Sequence, residues 1–462
     1  MGDLALPHIL PCVQSPQREA RKYANFLLAL RARRTGAARV AHHPFDLTVD
    51  CATLCQLHCP YCAVGNGTIR RGRALMETAL HERLAADVAP DLFLAWYFSA
   101  GEPQLHPRLH EHLARTAGEE AFTVVSTNLS VPLSPIRQEA LLRSGLGMLS
   151  ASVDGASAAT YAQYRRGGDF ALVMDNLAGL ARRKREMGLL FPLLEWRFLL
   201  FAHNQHEVDT ARSLAADMGL DLLEFFPGYA LPPDDPGEQG VHPMTAPMPE
   251  RPISGPAYEA GLARRETLIQ RLAAEGAPPA PVPVDTAEGA EAGGAAAAHR
   301  RCDWLYYSGM IYPDGAFGPC CVATDADDDF TRLDAHPDFG AAWNAPAFLR
   351  SRAAFARGGA AETVCDRCPL PVAQELQFVQ KVRAILRNAP DWVVRILSAA
   401  ADAFFLPAVQ RRLPVELAVL RRPEARALPS DPDALARLRM LAATHPDPEL
   451  ARCADILERG HA

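Results

Sequence analysis

The chain has 462 residues, 49% of them hydrophobic and 22% charged, which is enough for several packed domains. Its net charge of −7 gives no basis for binding bulk nucleic acid, no apolar run is long enough to span a membrane, and residues 1–13 lack the basic region and cleavage site of a signal peptide. Eleven cysteines are too few and too unevenly spaced for a secreted disulfide scaffold, and point to reduced thiols serving as ligands or nucleophiles in a cytoplasmic protein.

In chain order, residues 1–44 are an N-terminal extension. From 45 to 229 short apolar strands alternate with helical stretches. The strands are expected at Phe45–Val49, Leu92–Ser99, Phe122–Thr127, Met148–Val153, Leu193–Phe201 and Leu220–Phe226. The helices are expected at Leu75–Val88, Pro107–Ala117, Pro135–Arg143, Phe170–Met187 and Glu207–Met218. Repeats of this length make right-handed βαβ units with a parallel sheet, and six strands suit a partial (βα)6 TIM-like barrel with its chemistry in the loops at the C-terminal strand ends. Residues 230–300 are Pro-, Ala- and Gly-rich and read as an insertion or linker around one helix near Glu259–Ala274. Residues 301–370 are a small Cys-rich domain opening with a hairpin, Trp304–Tyr312 and Ala316–Cys320, turned at Pro313-Asp314-Gly315. Residues 371–462 form a helical C-terminal tail.

Most of the cysteines fall into two groups. Cys12 and Cys453 lie outside both and read as small packing residues, as does Cys51. Cys55, Cys59 and Cys62 form a C-x3-C-x2-C triplet directly after the first strand. Three thiolates on one loop can hold three irons of a [4Fe–4S] cluster and leave the fourth open. A zinc knuckle would need a further ligand from Cys51, His58 or elsewhere. The next loops along the same rim carry Gly101-Glu102-Pro103, then Ser126-Thr127-Asn128, then Ser152-Val153-Asp154-Gly155.

This combination resembles the radical S-adenosylmethionine (SAM) superfamily. The triplet, Tyr61 between its last two cysteines, and Gly-Glu-Pro carry the likeness. Ser152-Val-Asp-Gly followed by Tyr161, Tyr164-Arg165-Arg166-Gly-Gly and Phe170 is similar to the subgroup with a C-terminal SPASM or twitch module. The resemblance implies that Cys55, Cys59 and Cys62 ligate three irons and that SAM binds the fourth through its methionine amino and carboxylate groups. It also implies that Gly101, Glu102 and Pro103 receive the methionine ammonium and that Tyr61 lies near the adenine. Asn128, Ser152 and Arg165 become candidates for the ribose and carboxylate. Ala100 departs from the pattern, where a second glycine is more usual.

The second group, Cys302, Cys320, Cys365 and Cys368, has the spacing of a closed four-thiolate site for zinc or an iron–sulfur cluster. Its similarity to a twitch domain implies one auxiliary [4Fe–4S] cluster. Strand alternation sends Cys320 and Cys321 to opposite faces, and spacing favours Cys320 as the ligand.

On the fifth strand Glu195 and Arg197 share one face, as substrate contacts if it points inward and as a solvated pair if outward; Glu224, His203 and Asn204 are weaker candidates. Nine basic and four acidic residues between 380 and 426 accompany the apolar stripe of Trp392, Val393, Ile396, Leu397, Phe404 and Phe405 and also include Arg411, Arg412, Arg421 and Arg422. That stretch either packs on its own chain or lies on a membrane surface.

The resemblance implies reductive cleavage of SAM, with an electron from a flavodoxin or ferredoxin, to a 5′-deoxyadenosyl radical that abstracts hydrogen. The twitch likeness implies oxidation of a small polar substrate such as a sugar or aminocyclitol. One alternative is a peptide-modifying enzyme, although 1–44 is short for a separate leader-binding domain. Another is a non-enzymatic iron–sulfur or zinc-binding protein.

Overall fold

The computed structural model describes residues 10, 13–228, 302–321, 323–368, 373–413, 431–444 and 447–459. The expectations for Cys12, the 230–300 insertion with its helix near Glu259–Ala274, and Arg421 and Arg422 lie outside the described residues. Two units are distinguished, whose described parts are 46–228 with 309–336, and 10–45 with 302–308 and 337–459.

The first unit is an α/β layer. Its elements are β1 (Asp46–Val49), α1 (Thr78–Val88), β2 (Leu94–Trp96), α2 (Leu109–Ala117), β3 (Phe122–Thr127), α3 (Pro135–Arg143), β4 (Met148–Ser152), α4 (Ala158–Tyr164), α5 (Phe170–Glu186), β5 (Leu193–Leu200), α6 (Val208–Met218) and β6 (Leu222–Pro227). Strands β1 to β6 pair in parallel, each with the next, so all six C-terminal ends share one edge. The helix starts follow local chemistry. The Ser134 hydroxyl accepts from Arg137 N ahead of α3, with Pro135 in the first turn, and Asp169 caps α5 by accepting from Leu172 N. Each such cap contributes about 1 kcal/mol.

The pairing register separates two faces of the sheet. One carries Tyr97, Val125, Leu149, Trp196 and Phe225 and lies under the helices: the Tyr97 hydroxyl bonds His81 of α1 (2.7 Å) and Thr116 of α2 (2.6 Å), and Arg212 of α6 lies over Phe225. The other carries Asp46, Trp96, Ser126, Ser150, Ser152, Glu195, Arg197 and Glu224. This opposite, helix-free face is the inner face of the open barrel, and Glu195 and Arg197 lie on it.

The sheet is extended beyond its expected six strands. β7 (Met310–Ile311) joins β1 in parallel, and β8 (Ala316–Gly318) and β9 (Thr331–Arg332) continue antiparallel, giving the order β6-β5-β4-β3-β2-β1-β7-β8-β9. The hairpin turns where expected, with Gly315 at φ 83° and the Asp314 carboxylate accepting from Ala316 N. Its first arm is shorter than expected, because Trp304–Tyr307 is a helical turn rather than strand. β8 ends at Gly318, so Cys320 and Cys321 lie in a bend and turn beyond it, and strand alternation does not govern them. The expected 301–370 domain is divided between the two units.

The second unit contains a helix the sequence reading did not anticipate, Pro16–Thr35, ended by Gly36 at φ 68°. Its Arg33 makes a bidentate, buried pair with Asp303 (2.7 and 2.8 Å). In the helix Asp391–Phe404, Trp392, Val393, Ile396, Leu397 and Phe404 are buried, and Trp392 meets the Tyr23 ring edge-on at 6.3 Å. The apolar stripe of that stretch is therefore covered by its own chain. Among the described residues no helix is long and apolar enough to cross a membrane.

Candidate functional site

The site is built at the shared strand edge, where the loops after β1 to β5 meet. The loop after β1 carries Cys55, Cys59 and Cys62. These three pack around Leu57, Tyr164 and Phe201, with Cys59 buried and the other two partly exposed. Cys62 N donates to Cys59 O (3.2 Å), and His58 N to Arg166 O (2.8 Å), tying the loop to the segment after α4. The Cys55 sulfur accepts from Leu57 N (3.4 Å) and Asn128 Nδ2 (3.5 Å), and the Arg165 charge acts on the Cys59 sulfur. Burial pushes the Cys55 thiol up to about 11 and raises that of Cys59, with Arg165 opposing the latter.

The donor set fits a cluster. Two N–H groups are aimed at the Cys55 sulfur and a guanidinium charge acts on that of Cys59, an arrangement that stabilises anionic cluster sulfurs and tunes their potential. Among the described residues no three His, Cys, Asp or Glu side chains converge closely enough to chelate a single ion. A cubane needs no such convergence, since each thiolate takes a separate iron.

The loop after β2 is held from both sides. A Cβ on Gly101 would lie 1.8 Å from Ala52 O and 2.7 Å from Leu54 O, so only glycine lets the two loops approach this closely. Ala100 has no positive φ, so it is accommodated where a second glycine is usual. Its N–H donates to Asp50 (3.1 Å), a buried carboxyl that burial pushes up to about 7 against the pull of its backbone donors. The Glu102 carboxylate accepts from Thr127 Oγ1 (2.5 Å), Asn128 N (2.7 Å) and Gln104 N (2.8 Å) and is 2% exposed. Three of its four acceptor sites are taken, one on Oε2 being left, and it acts as a strut joining the loops after β2 and β3. Pro103 opens the short 3-10 turn that Glu102 caps.

Asn128 does more than was expected of it, accepting from Gln56 Nε2 (2.9 Å) and Ser130 N (2.8 Å) while donating to Cys55. The Ser152 hydroxyl faces that of Ser126 at 3.3 Å. Arg165 is paired with buried Asp154 (2.6 Å), whose other oxygen accepts from Leu199 N (2.8 Å). Arg165 is thus fixed between a carboxylate and the Cys59 sulfur and is not a free cation. Tyr61 stacks on Tyr164 at 6.2 Å. Asp50, Thr127, Gln56 and Asp154 hold the loops in place and were given no role in the sequence reading; Thr127, Gln56 and Asp154 stood inside its motifs, and Asp50 did not.

Of the second cysteine group, Cys320 belongs to the first unit and Cys302, Cys365 and Cys368 to the second. Cys321 packs against Met310, Tyr312 and Ala316, while Cys365 N donates to Thr363 Oγ1 (3.3 Å), whose hydroxyl bonds that of Ser351 (3.0 Å), and Cys368 N donates to Cys365 O. On the inner face Glu195 is fully buried, 3.9 Å from Arg197 Nε. Glu224 stands opposite Arg197 in the register. Asn204 is structural, bonding Phe201 N, Asp154 O and Leu199 O, and His203 stacks on Phe201. Cys51 and Cys453 are fully buried, as packing residues are.

Residues 51–193 match the family model described as Radical SAM superfamily. No curated protein matches the chain. Similar solved structures include BtrN in complex with AdoMet and 2-DOIA, at 14% identity over 68% of this chain and 88% of that one, with a TM-score of 0.37. Streptococcus suis SuiB bound to S-adenosylmethionine is similar at 14% identity over 79% and 77%, TM-score 0.45. An anSMEcpe structure with bound AdoMet and Cp18Cys peptide is similar at 12% over 66% and 83%, TM-score 0.40. These likenesses are too distant to carry a residue's role across. The family match coincides with the loops after β1 to β4, so it is residues 51–193 of this chain that are similar to the radical SAM superfamily, whose cofactors are a [4Fe–4S] cluster and SAM.

Proposed function

We propose that this radical SAM enzyme oxidises a small polar substrate of the sugar or aminocyclitol class by two electrons. An auxiliary [4Fe–4S] cluster on Cys302, Cys320, Cys365 and Cys368 is the acceptor for the second electron. When bound, the first cluster and SAM supply one-electron cleavage of the sulfonium and the hydrogen abstraction that follows, and the auxiliary cluster supplies electron transfer.

The chain's own residues set the stage. Cys55, Cys59 and Cys62 would hold three irons. Asn128 and Leu57 N–H groups donate to the first sulfur, and the Arg165 charge acts on the second. The Glu102 strut and the Gly101 close approach fix the rim against which SAM would lie, with Tyr61 toward the adenine, and Ser152, Asn128 and the backbone of Gly101-Glu102-Pro103 within the same rim. A flavodoxin or ferredoxin would supply the electron.

The observation that carries the substrate class is the inner face of the sheet, where Glu195, Arg197 and Ser150 present polar atoms rather than an apolar floor. The auxiliary cluster rests on cysteine spacing. Anaerobic reconstitution and iron analysis test both clusters together. About eight irons per chain are expected, falling to about four in Cys365→Ala/Cys368→Ala while SAM cleavage persists. A wild type holding only four irons, or zinc, would contradict the auxiliary cluster.

A further inference from the structure

Polar side chains on the two faces of the sheet are treated differently. Under the helices, Tyr97 finds two partners, and the Trp196 indole donates to Val153 O (2.8 Å). On the inner face, Ser150 is 1% exposed and Glu195 0% exposed, yet the Ser150 hydroxyl and both Glu195 carboxylate oxygens have no hydrogen-bond partner. Arg197 Nε also lacks one. Its distance of 3.9 Å to Glu195 Oε2 is too long for a hydrogen bond, so the two ions attract without satisfying each other.

The register makes these atoms neighbours. Ser150 stands directly opposite Glu195, and Ser152 opposite Arg197, on adjacent strands of one face. The row is graded. Ser150 and Glu195 are buried, while Ser126, Ser152 and Arg197 toward the C-terminal strand ends are partly exposed. Two residues along a strand cover about 7 Å, so the buried pair lies one pleat period below the level of Ser152, toward the sheet interior. Arg197 is steadied there by the Phe226 ring, 4.7 Å from its guanidinium carbon.

A buried carboxylate with no donor costs several kcal/mol, and a buried hydroxyl adds to that cost, so such a set is stable only when something completes it. The missing partner must bring two donors close together for the two carboxylate oxygens. It must also bring an atom that accepts from Arg197 Nε. A hydroxyl does both, since one O–H donates to Glu195 while its lone pair accepts from Arg197. An ammonium alone can only donate. A peptide backbone carries donor and acceptor on separate, rigidly spaced atoms.

We infer that Ser150, Glu195 and Arg197 form a binding subsite for adjacent hydroxyls, or a hydroxyl beside an amine, on a small polyol ring. This rests on the reading that the substrate enters the inner face, and it names the groups by which that substrate is held. Glu195 receives two neighbouring donors, Arg197 donates to one of the same oxygens, and Ser150 closes the set from β4.

The test uses the full chain, reconstituted and loaded with SAM, and titrates myo-inositol and 2-deoxystreptamine by saturation-transfer NMR. At least one is expected to bind saturably. Glu195→Gln should weaken it at least tenfold and Ser150→Ala about threefold, with unchanged iron content and melting temperature showing that the variants fold. The inference is overturned if neither polyol saturates, if both variants bind as wild type does, or if N-acetyl-trialanine amide competes where the polyols do not. SAM cleavage on reduction with dithionite, without any added substrate, is measured in parallel. Persistence of cleavage alongside unaltered binding sinks the subsite and leaves the radical SAM reading standing; absence of cleavage in wild type sinks the reading itself.

Discussion

The two cysteine groups are held in contrasting ways. Cys55, Cys59 and Cys62 sit on one loop of one unit, and residues from two further segments reach them: Asn128, which bonds both Cys55 and Gln56, and Arg165, whose charge acts on Cys59. Cys302, Cys320, Cys365 and Cys368 are spread over 67 positions and both units, with support that is local to each: the Arg33–Asp303 pair beside Cys302, and Thr363, which accepts from Cys365 N. A preorganised loop needs little rearrangement to load. On the proposed auxiliary cluster, a dispersed set would gain its order from what it binds.

The comparison can be broken at its strongest point. Gly101→Ala drives a methyl into Ala52 O and Leu54 O, so it should dislodge the first cysteine loop and lower SAM cleavage more than a hundredfold, measured as 5′-deoxyadenosine formed per chain. It should leave the auxiliary iron in place. A variant that cleaves SAM normally would show that the close approach is not what shapes the rim.

Cys320 and Cys321 sharpen the other half. Cys320→Ala is expected to lose about half of the bound iron, and Cys321→Ala almost none, because Cys321 packs on Met310, Tyr312 and Ala316. The reverse result would exchange their roles. Glu102→Gln replaces one of the two oxygens shared by Thr127, Asn128 and Gln104 with an NH2 that cannot accept, and should cost about 1–3 kcal/mol, read as a lower melting temperature together with weaker SAM binding.

The smallest effect concerns acid. His81 and His112 stack face to face at 4.1 Å beneath the loop after β2, and burial, with the neighbouring His106 adding to it, holds them down to about 2 and about 3. A pKa lowered on folding means that the unfolded chain takes protons first. Stability is therefore full above about pH 6.5 and is lost as pH falls below it, with a slope approaching about 2.7 kcal/mol per pH unit for two groups. His112→Gln should halve that slope in denaturant titrations between pH 6 and 4; an unchanged slope would place the acid sensitivity elsewhere.

Much of this was legible. The run Phe122–Thr127 and the helix Pro135–Arg143 were bounded by turn residues and a Ser-Pro start, and the structure has those bounds. The cysteine spacing and Gly-Glu-Pro carried enough chemistry to name the family. What was not legible depends on distance in the chain or on burial all round. The β1–β7 pairing joins Thr48 to Met310, and no local pattern announces it. Helix Pro16–Thr35 buries Lys22, Asn25 and Arg33 along with its apolar residues, so it shows no clean amphipathic period. Asp50 and Thr127 act through partners brought close only by the sheet. Glu102 was assigned by its charge, yet its partners, which only the fold supplies, turn it into a strut.

The most direct test of the central claim compares wild type with Cys55→Ala/Cys59→Ala/Cys62→Ala after anaerobic reconstitution, with SAM and dithionite present. The account predicts 5′-deoxyadenosine from wild type only, and a variant that keeps about half of the iron. SAM cleavage by the triple variant, or none by iron-loaded wild type, would contradict it.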